Sequence, residues 1–400
     1  MTTFKTIDDF NVSGKRVLVR VDLNVPMSDG KVSDTTRLER IKPTIIELAQ
    51  KGAKVILMAH FGRPKGKVVD EMSLAPIVPA LAKSLDMDVS FSDDTKGELA
   101  QNYVNEMQDG DVLLLENLRF YEGEEQNSDA FSAELAKLGD IYINDAFSAA
   151  HRAHASTQGV AKLLPCAAGR TMQAELEALH SALSNPKRPL GAVVGGAKVS
   201  TKIDLLENLV SKIDVLIIGG GMANTFNAAL GADMGDSLQE ADMHDKAKAI
   251  MVAAEKENCK IVLPIDGRIA KEFKAGTPVE SIKLTPETKL SSEQMSLDAG
   301  DASIETFIAE FEKLNTLIWN GPFGVFEMPP FDTATMQTAK AAAKLTKEGK
   351  LISVAGGGDT VSALNQAGVA NDFSYISTAG GAFLEWMEGK ELPGVVALFK

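Results

Sequence analysis

Asp22 and Asn24 in "VRVDLN", His60 and Arg63 in "MAHFGRP", Arg119 in "LLENLRF" and Arg152 in "AAHRAHAS" share a placement. Each stands at or just past the end of a short apolar run, or in a loop. Arg37 joins them from "VSDTTRLER", ahead of the amphipathic stretch "IKPTIIELAQK". Taken singly, each arginine reads as a solvated surface side chain. Taken together they read as a binding set, because planar guanidinium forks suit phosphate and carboxylate while Asp22 and Asn24 can hydrogen-bond a hydroxyl. The ligand implied is small, hydroxylated and at least singly phosphorylated. Of the ten arginines, eight (Arg16, Arg20, Arg37, Arg40, Arg63, Arg119, Arg152, Arg170) precede residue 171, and beyond Gly191 there is only Arg268. That asymmetry puts anion binding in the first half of the chain. His151 and His154 have helix-like i, i+3 spacing, but the glutamate of HExxH is missing and no further ligands cluster nearby. Anion contact or packing accounts for them better than a metal.

The second half offers different chemistry. "GAVVGGAKVSTK" (Gly191–Lys202) ends a β-prone run at two glycines. Ile203, Leu206, Leu209, Val210 and Ile213 then keep a helical period. The spacing predicts Lys198 and Lys202 on one face of the first helical turns, where free N–H groups and the helix dipole favour an anion. A tight glycine turn with two exposed lysines accounts for the stretch equally well. The P-loop pattern GxxxxGK[ST] is absent, and "GGGMAN" (Gly219–Asn224) and "GGGDTV" (Gly356–Val361) do not complete GxGxxG. A P-loop NTPase and a conventional dehydrogenase are therefore unsupported. Asp359 or Thr360 reads as a helix cap, or Asp359 as a Mg²⁺ ligand beside a phosphate. Glu327 in "WNGPFGVFEMPP" reads as a ribose acceptor or a solvated acid.

The elements that must hold these residues are short β-rich runs alternating with helical segments. They are "RVLVRVDLN", "AKVILMAHFG", "DVLLLENLRF" and "DIYINDAF", then "LGAVVGG", "DVLIIGGG", "KIVLPIDG", "TLIWNGP", "LISVAGGG" and "YISTAGG". Strands apolar throughout imply parallel sheets covered on both faces, with ligands outside their carboxyl ends. The fold class expected is α/β, with two doubly wound, Rossmann-like domains. Four hundred residues, 44% of them hydrophobic, suffice for two cores. The proline-marked stretch "LSNPKRPLG" (Leu183–Gly191) is the natural connector. Domains are expected over 1–183 and 191–387. A net charge of −14 argues against nucleic acid or anionic membrane as the main partner. "MTTFKTIDDF" shows no secretory signal, no apolar run approaches membrane-spanning length, and Cys166 and Cys259 lack CxxC spacing. A cytoplasmic protein is expected.

Together "VRVDLNVP", "MAHFGRP", "LLENLRF", "NDAFSAAHRAHAS", "GGAKVSTK", "WNGPFGVFE", "AGGGDT" and "FLEWMEGKELPG" closely resemble the phosphoglycerate kinase family, nearly end to end and in order. The resemblance implies two domains facing each other across a cleft and joined by a hinge, with residues 388–400 packing back on the first. It implies a monomer that moves a phosphoryl group between 1,3-bisphosphoglycerate and Mg-ADP, giving 3-phosphoglycerate and Mg-ATP. By motif position, Asp22 and Asn24 would bind the glycerate hydroxyl, and His60, Arg63, Arg119 and Arg152 the 3-phosphate. Arg37 and Lys198 would meet the migrating group, with Gly357 and Gly380 beside it. Lys202, Gly357, Gly358 and Thr360 would contact nucleotide phosphates, and Asp359 the Mg²⁺. Glu327 would accept the ribose, and Gly219, Gly220 and Gly221 would flank the adenine. In "STAGGA", Ala379 stands where the family usually has a glycine.

The chemistry fits that inventory. The acceptor is a carboxylate, with a pKa of about 3.5, or a phosphate oxygen, both already anionic at pH 7. No general base is needed, only in-line positioning and neutralisation of spreading charge. Two other readings remain: a non-catalytic nucleotide-binding scaffold, and a nicotinamide-dependent oxidoreductase disfavoured by the missing fingerprint.

Overall fold

Apolar runs of four or five residues cannot alternate faces, so they form strands buried on both sides. The computed structural model, which describes residues 4–399, builds two such sheets. They belong to separate units, Met1–Glu177 with Glu391–Lys400, and Ala178–Lys390. The division falls inside the helix Arg170–Leu179. No helix among the described residues is long and apolar enough to cross a membrane.

In the first unit the strands of the main sheet are β1 (Arg16–Arg20), β2 (Lys54–Met58), β3 (Val89–Ser92), β4 (Val112–Leu115), β5 (Ile141–Asn144) and β6 (Cys166–Ala168). They lie in the order β3-β4-β2-β1-β5-β6, with every pair parallel. The chain leaves β1 toward β2 and later returns as β5 on its other side. The loop after β1, which holds Asp22 and Asn24, therefore opens at the point where strand order reverses, the usual ligand crevice of such sheets. The helix Thr36–Gln50 buries Leu38, Ile41, Ile45 and Leu48, one face at helical period. Its seating fixes Arg37 in the first turn.

The second unit contains β7 (Leu190–Val194), β8 (Val215–Ile218), β9 (Lys260–Val262), β10 (Asp266–Ala270), β11 (Glu280–Lys283), β12 (Met295–Ala299), β13 (Thr316–Asn320), β14 (Ile352–Gly356) and β15 (Tyr375–Ser377). The parallel sheet runs β9-β8-β7-β13-β14-β15, the Rossmann order, with its reversal between β7 and β13. Phe307 stacks on Phe323 at 4.7 Å, and Trp319 meets the Phe323 edge at 5.6 Å. The Trp319 indole donates to the Gly321 carbonyl (2.8 Å). This cluster holds the start of the loop that carries Glu327.

All ten runs read as strands are strands. Beyond them lie β3, β6, a two-residue hairpin (Met27–Ser28 with Lys31–Val32) and a small antiparallel sheet, β11-β10-β12, which the sequence pattern did not suggest. β3 keeps only Ser92 buried, and β6 has three residues. β10 follows β9 so closely that "KIVLPIDG" reads as one run.

Candidate active site

At the reversal point of the first sheet, Asp22 accepts from Ser148 Oγ (2.6 Å), from the Asn24 N–H (3.0 Å) and from a very short contact with Arg37 Nη1. Burial pushes its carboxyl up, but Arg37, Ser148 and the Asn24 N–H outweigh that and hold it below the usual range. Asn24 Oδ1 accepts from the Gly62 N–H (3.0 Å), tying the loop after β1 to the one after β2. Arg119, in the short turn Leu118–Phe120, donates to the Gly62 carbonyl (2.9 Å), with Glu125 at 3.5 Å. Arg63 and Arg152 are exposed.

His60 and His154 are both held neutral. Burial lowers His60 well below its ordinary value, helped by the charges of Arg20 and Arg119. Burial, Arg119, Arg20, Arg152 and His151 bring His154 down to about 4. Cations that repel one another inside one patch are the electrostatic complement of an anion. Sequence reasoning missed the centre of this patch. Arg20 is fully buried, with Nε donating to Ser156 Oγ (2.9 Å) and Nη2 to His60 Nδ1 (2.8 Å). An arginine inside an otherwise apolar strand was the available signal, because a buried charge needs partners. Other strand-end groups serve structure instead. Asn117 braces the loops through the Phe61 and Met72 carbonyls, Asn144 donates to the Gly394 carbonyl, and Asp145 accepts from the Met172 N–H. Arg16 and Arg170 are engaged by Asp140, and by Asp8 and Glu47.

In the second unit the expected lysine pair does not lie on a helix. Val199–Thr201 is a single 3-10 turn and the helix is Ile203–Val210. Lys198 precedes the turn in extended conformation (φ −136°, ψ 131°) and is exposed. Lys202 curls back to the reversal point, where Nζ donates to Asn320 Oδ1 (2.6 Å) and the Gly195 carbonyl (2.7 Å). Those acceptors, packed at the β7 and β13 ends, draw the side chain off any helical face. Burial lowers Lys202 to about 8, against the opposing charge of Asp359.

Neither Asp359 nor Thr360 caps its helix. Gly357 stands at the cap of Gly358–Gln366, Asp359 is exposed in the first turn, and Thr360 Oγ1 is buried, accepting from the Gly321 N–H (2.7 Å). Gly358 has open space around it. Gly220 must be glycine. Its φ is +66° and a Cβ there would lie 2.7 Å from the Gly196 carbonyl oxygen. Gly219 precedes it in extended conformation. Gly380 (φ +55°, ψ −109°) opens the helix Gly381–Met387, while Ala379 is buried with its N–H on Ser377 Oγ (3.2 Å).

A cavity of about 390 Å³ in this unit is lined by Gly196, Gly220, Gly221, Leu238, Glu327 and Asp359, among others. Its apolar wall, with Leu238 and Phe273 at 53% and 63% exposure, suits a flat ring, and its Asp359 edge suits charge. Sequence reasoning missed that wall, because isolated apolar residues in loops carry no pattern. Among the described residues no group of three or more His, Cys, Asp or Glu could hold a metal. A lone Asp359 fits an ion that arrives with phosphates and keeps much of its water.

The phosphoglycerate kinase family model matches residues 7–390. Phosphoglycerate kinase of Agrobacterium fabrum is 62% identical over all of this chain and 99% of its own length; that of Mesorhizobium japonicum is 61% identical over the full length of both. Among solved structures, phosphoglycerate kinase from Coxiella burnetii is similar with a TM-score of 0.92 at 41% identity, over 99% of each chain. The chain belongs to the phosphoglycerate kinase family and catalyses its reaction, reversible phosphoryl transfer between 1,3-bisphosphoglycerate and ADP.

Proposed function

We propose that the basic patch of the first unit binds 3-phosphoglycerate and 1,3-bisphosphoglycerate, and that the cavity of the second binds the nucleotide with Mg²⁺. His60, Arg63, Arg119 and Arg152 hold the 3-phosphate, and Asp22 and Asn24 orient the glycerate hydroxyl. Arg37 neutralises the carboxyl end and the migrating phosphoryl, which Lys198 meets with Gly357 and Gly380 beside it. Lys202, Gly358 and Thr360 serve the nucleotide phosphates, Glu327 accepts the ribose, and Gly219, Gly220 and Gly221 flank the adenine. Asp359 would hold Mg²⁺, which, when bound, neutralises phosphate charge. The enzyme acts as a cytoplasmic monomer, with neither nucleic acid nor membrane as partner. Domains over 1–183 and 191–387, with 388–400 returned to the first, close about Leu183–Gly191 during transfer and exclude water from the acyl phosphate.

The supporting observation is the cluster of Arg20, Arg119 and His154 around His60, whose positive charge lowers the ring despite Asp22 and which a bound anion would relieve. Arg119→Ala should raise the KM for 3-phosphoglycerate about 10- to 100-fold, the loss of one charge-assisted contact, and leave that for ATP unchanged. The reverse reaction, coupled to NADH oxidation by glyceraldehyde-phosphate dehydrogenase, measures both; an unaltered 3-phosphoglycerate KM would refute the assignment.

A further inference from the structure

Behind His60 lies a buried relay that the reaction itself does not call for. Glu124 is fully buried and accepts from the Ser156 N–H (2.9 Å) and Ser156 Oγ–H (2.6 Å). A hydroxyl has one proton. With that proton on Glu124, Ser156 Oγ can only accept from Arg20, which it does from Nε at 2.9 Å. Arg20 Nη1 is spent on the Val21 carbonyl. Nη2 is left facing His60 Nδ1 at 2.8 Å. Tyr142, also buried, fixes the Ser156 backbone by donating to its carbonyl (2.7 Å).

A guanidinium donates and never accepts, so Nδ1 must be the acceptor in this pair. We propose that Arg20 is a positioning residue: it fixes His60 as the Nε2–H tautomer, so the ring turns a hydrogen-bond donor toward the bound anion. With the other tautomer, a neutral His60 would offer a lone pair to a phosphate oxygen and repel it. The inference rests on the reading of the patch as the 3-phosphoglycerate site. Burial and the neighbouring guanidinium charges, which keep the ring uncharged, make the choice of tautomer matter.

The test is a long-range ¹H–¹⁵N correlation spectrum of the full chain with ¹⁵N-histidine, His60 being assigned by the signal lost in His60→Gln. His60 should show a bare Nδ1 and protonated Nε2 throughout about pH 6 to 8. Adding 3-phosphoglycerate should shift Nε2–H without changing the tautomer. A protonated Nδ1 overturns the proposal even with substrate binding intact. A His60 signal unmoved by saturating 3-phosphoglycerate overturns it through the substrate reading instead, so the two failures are distinct. Arg20→Lys keeps the charge but not the fork. It should mix the tautomers and raise the 3-phosphoglycerate KM about tenfold, with the ATP KM unchanged. A folded Arg20→Lys protein with a single Nε2–H tautomer would remove Arg20 from the role. Should that variant not fold, the spectra of the unaltered chain decide.

Discussion

Lys202 is the residue whose environment speaks most directly to a measurement. Its amine is charged below about pH 8 and neutral above. In the proposed role on the nucleotide phosphates the charged form binds, so ADP binding above that value would draw a proton from solvent. Affinity should fall as pH rises through about 8, approaching tenfold per pH unit. Calorimetric Kd values from about pH 6.5 to 9.5 check this, and Lys202→Arg should flatten the profile. A flat profile in the unaltered chain would remove Lys202 from the phosphates. Arg37, paired with Asp22 in the first unit, leads to a different outcome. Arg37→Ala should lower kcat by about 100-fold, as expected for a lost transition-state contact, with ADP affinity held within about twofold. Steady-state kinetics with ADP titration separate the two; a large loss of ADP affinity at intact kcat would contradict the role.

Between elements, Asp145 links the end of β5 to the helix Arg170–Leu179. Its Oδ1 accepts from the Met172 N–H (3.0 Å) and burial pushes its carboxyl up to about 7. The unfolded chain releases this proton near pH 4, the folded one only near 7. The contribution of Asp145 to stability is therefore complete below about pH 4 and declines as pH rises to about 7, by up to roughly 4 kcal/mol. Urea unfolding of the full chain and of Asp145→Asn across that range should show the unaltered chain losing stability relative to the variant as pH rises; equal slopes would refute the linkage. Elements also show where sequence reading stops. Most of the ten runs were legible because burial on both faces writes itself as uninterrupted hydrophobicity, and the short, partly exposed β9 and β15 because glycine- or proline-marked loops follow them. β3 was not, since three of its four residues keep some exposure, and the β11-β10-β12 sheet has "ESIK" along one edge. The candidate site was legible where residue type and strand-end position coincided, as at Asp22 and Arg119, which the structure places beside the reversal point of the first sheet. Lys202 was misread because its position depends on acceptors at Asn320 and Gly195, distant in sequence or hidden in backbone.

For the whole molecule, the proposed division of the two substrates between the units makes a prediction about closure. Small-angle scattering should give a smaller radius of gyration with 3-phosphoglycerate and Mg-ADP both present than with either alone. Identical curves would exclude closure as the step that assembles the site. The chain's path adds a consequence for its birth. Glu391–Lys400 belongs to the first unit, where the Gly394 N–H donates to the Ala150 carbonyl (2.8 Å), Asn144 reaches the Gly394 carbonyl (3.3 Å), and Phe399 meets Phe4 edge-on at 6.0 Å. On the ribosome, the first unit emerges lacking this piece and acquires it only after all of Ala178–Lys390 has been synthesised. The earliest part of the protein to be made is thus among the last to be finished. In the interval, the β5 end and its buried Asn144 amide depend on water or a chaperone for cover.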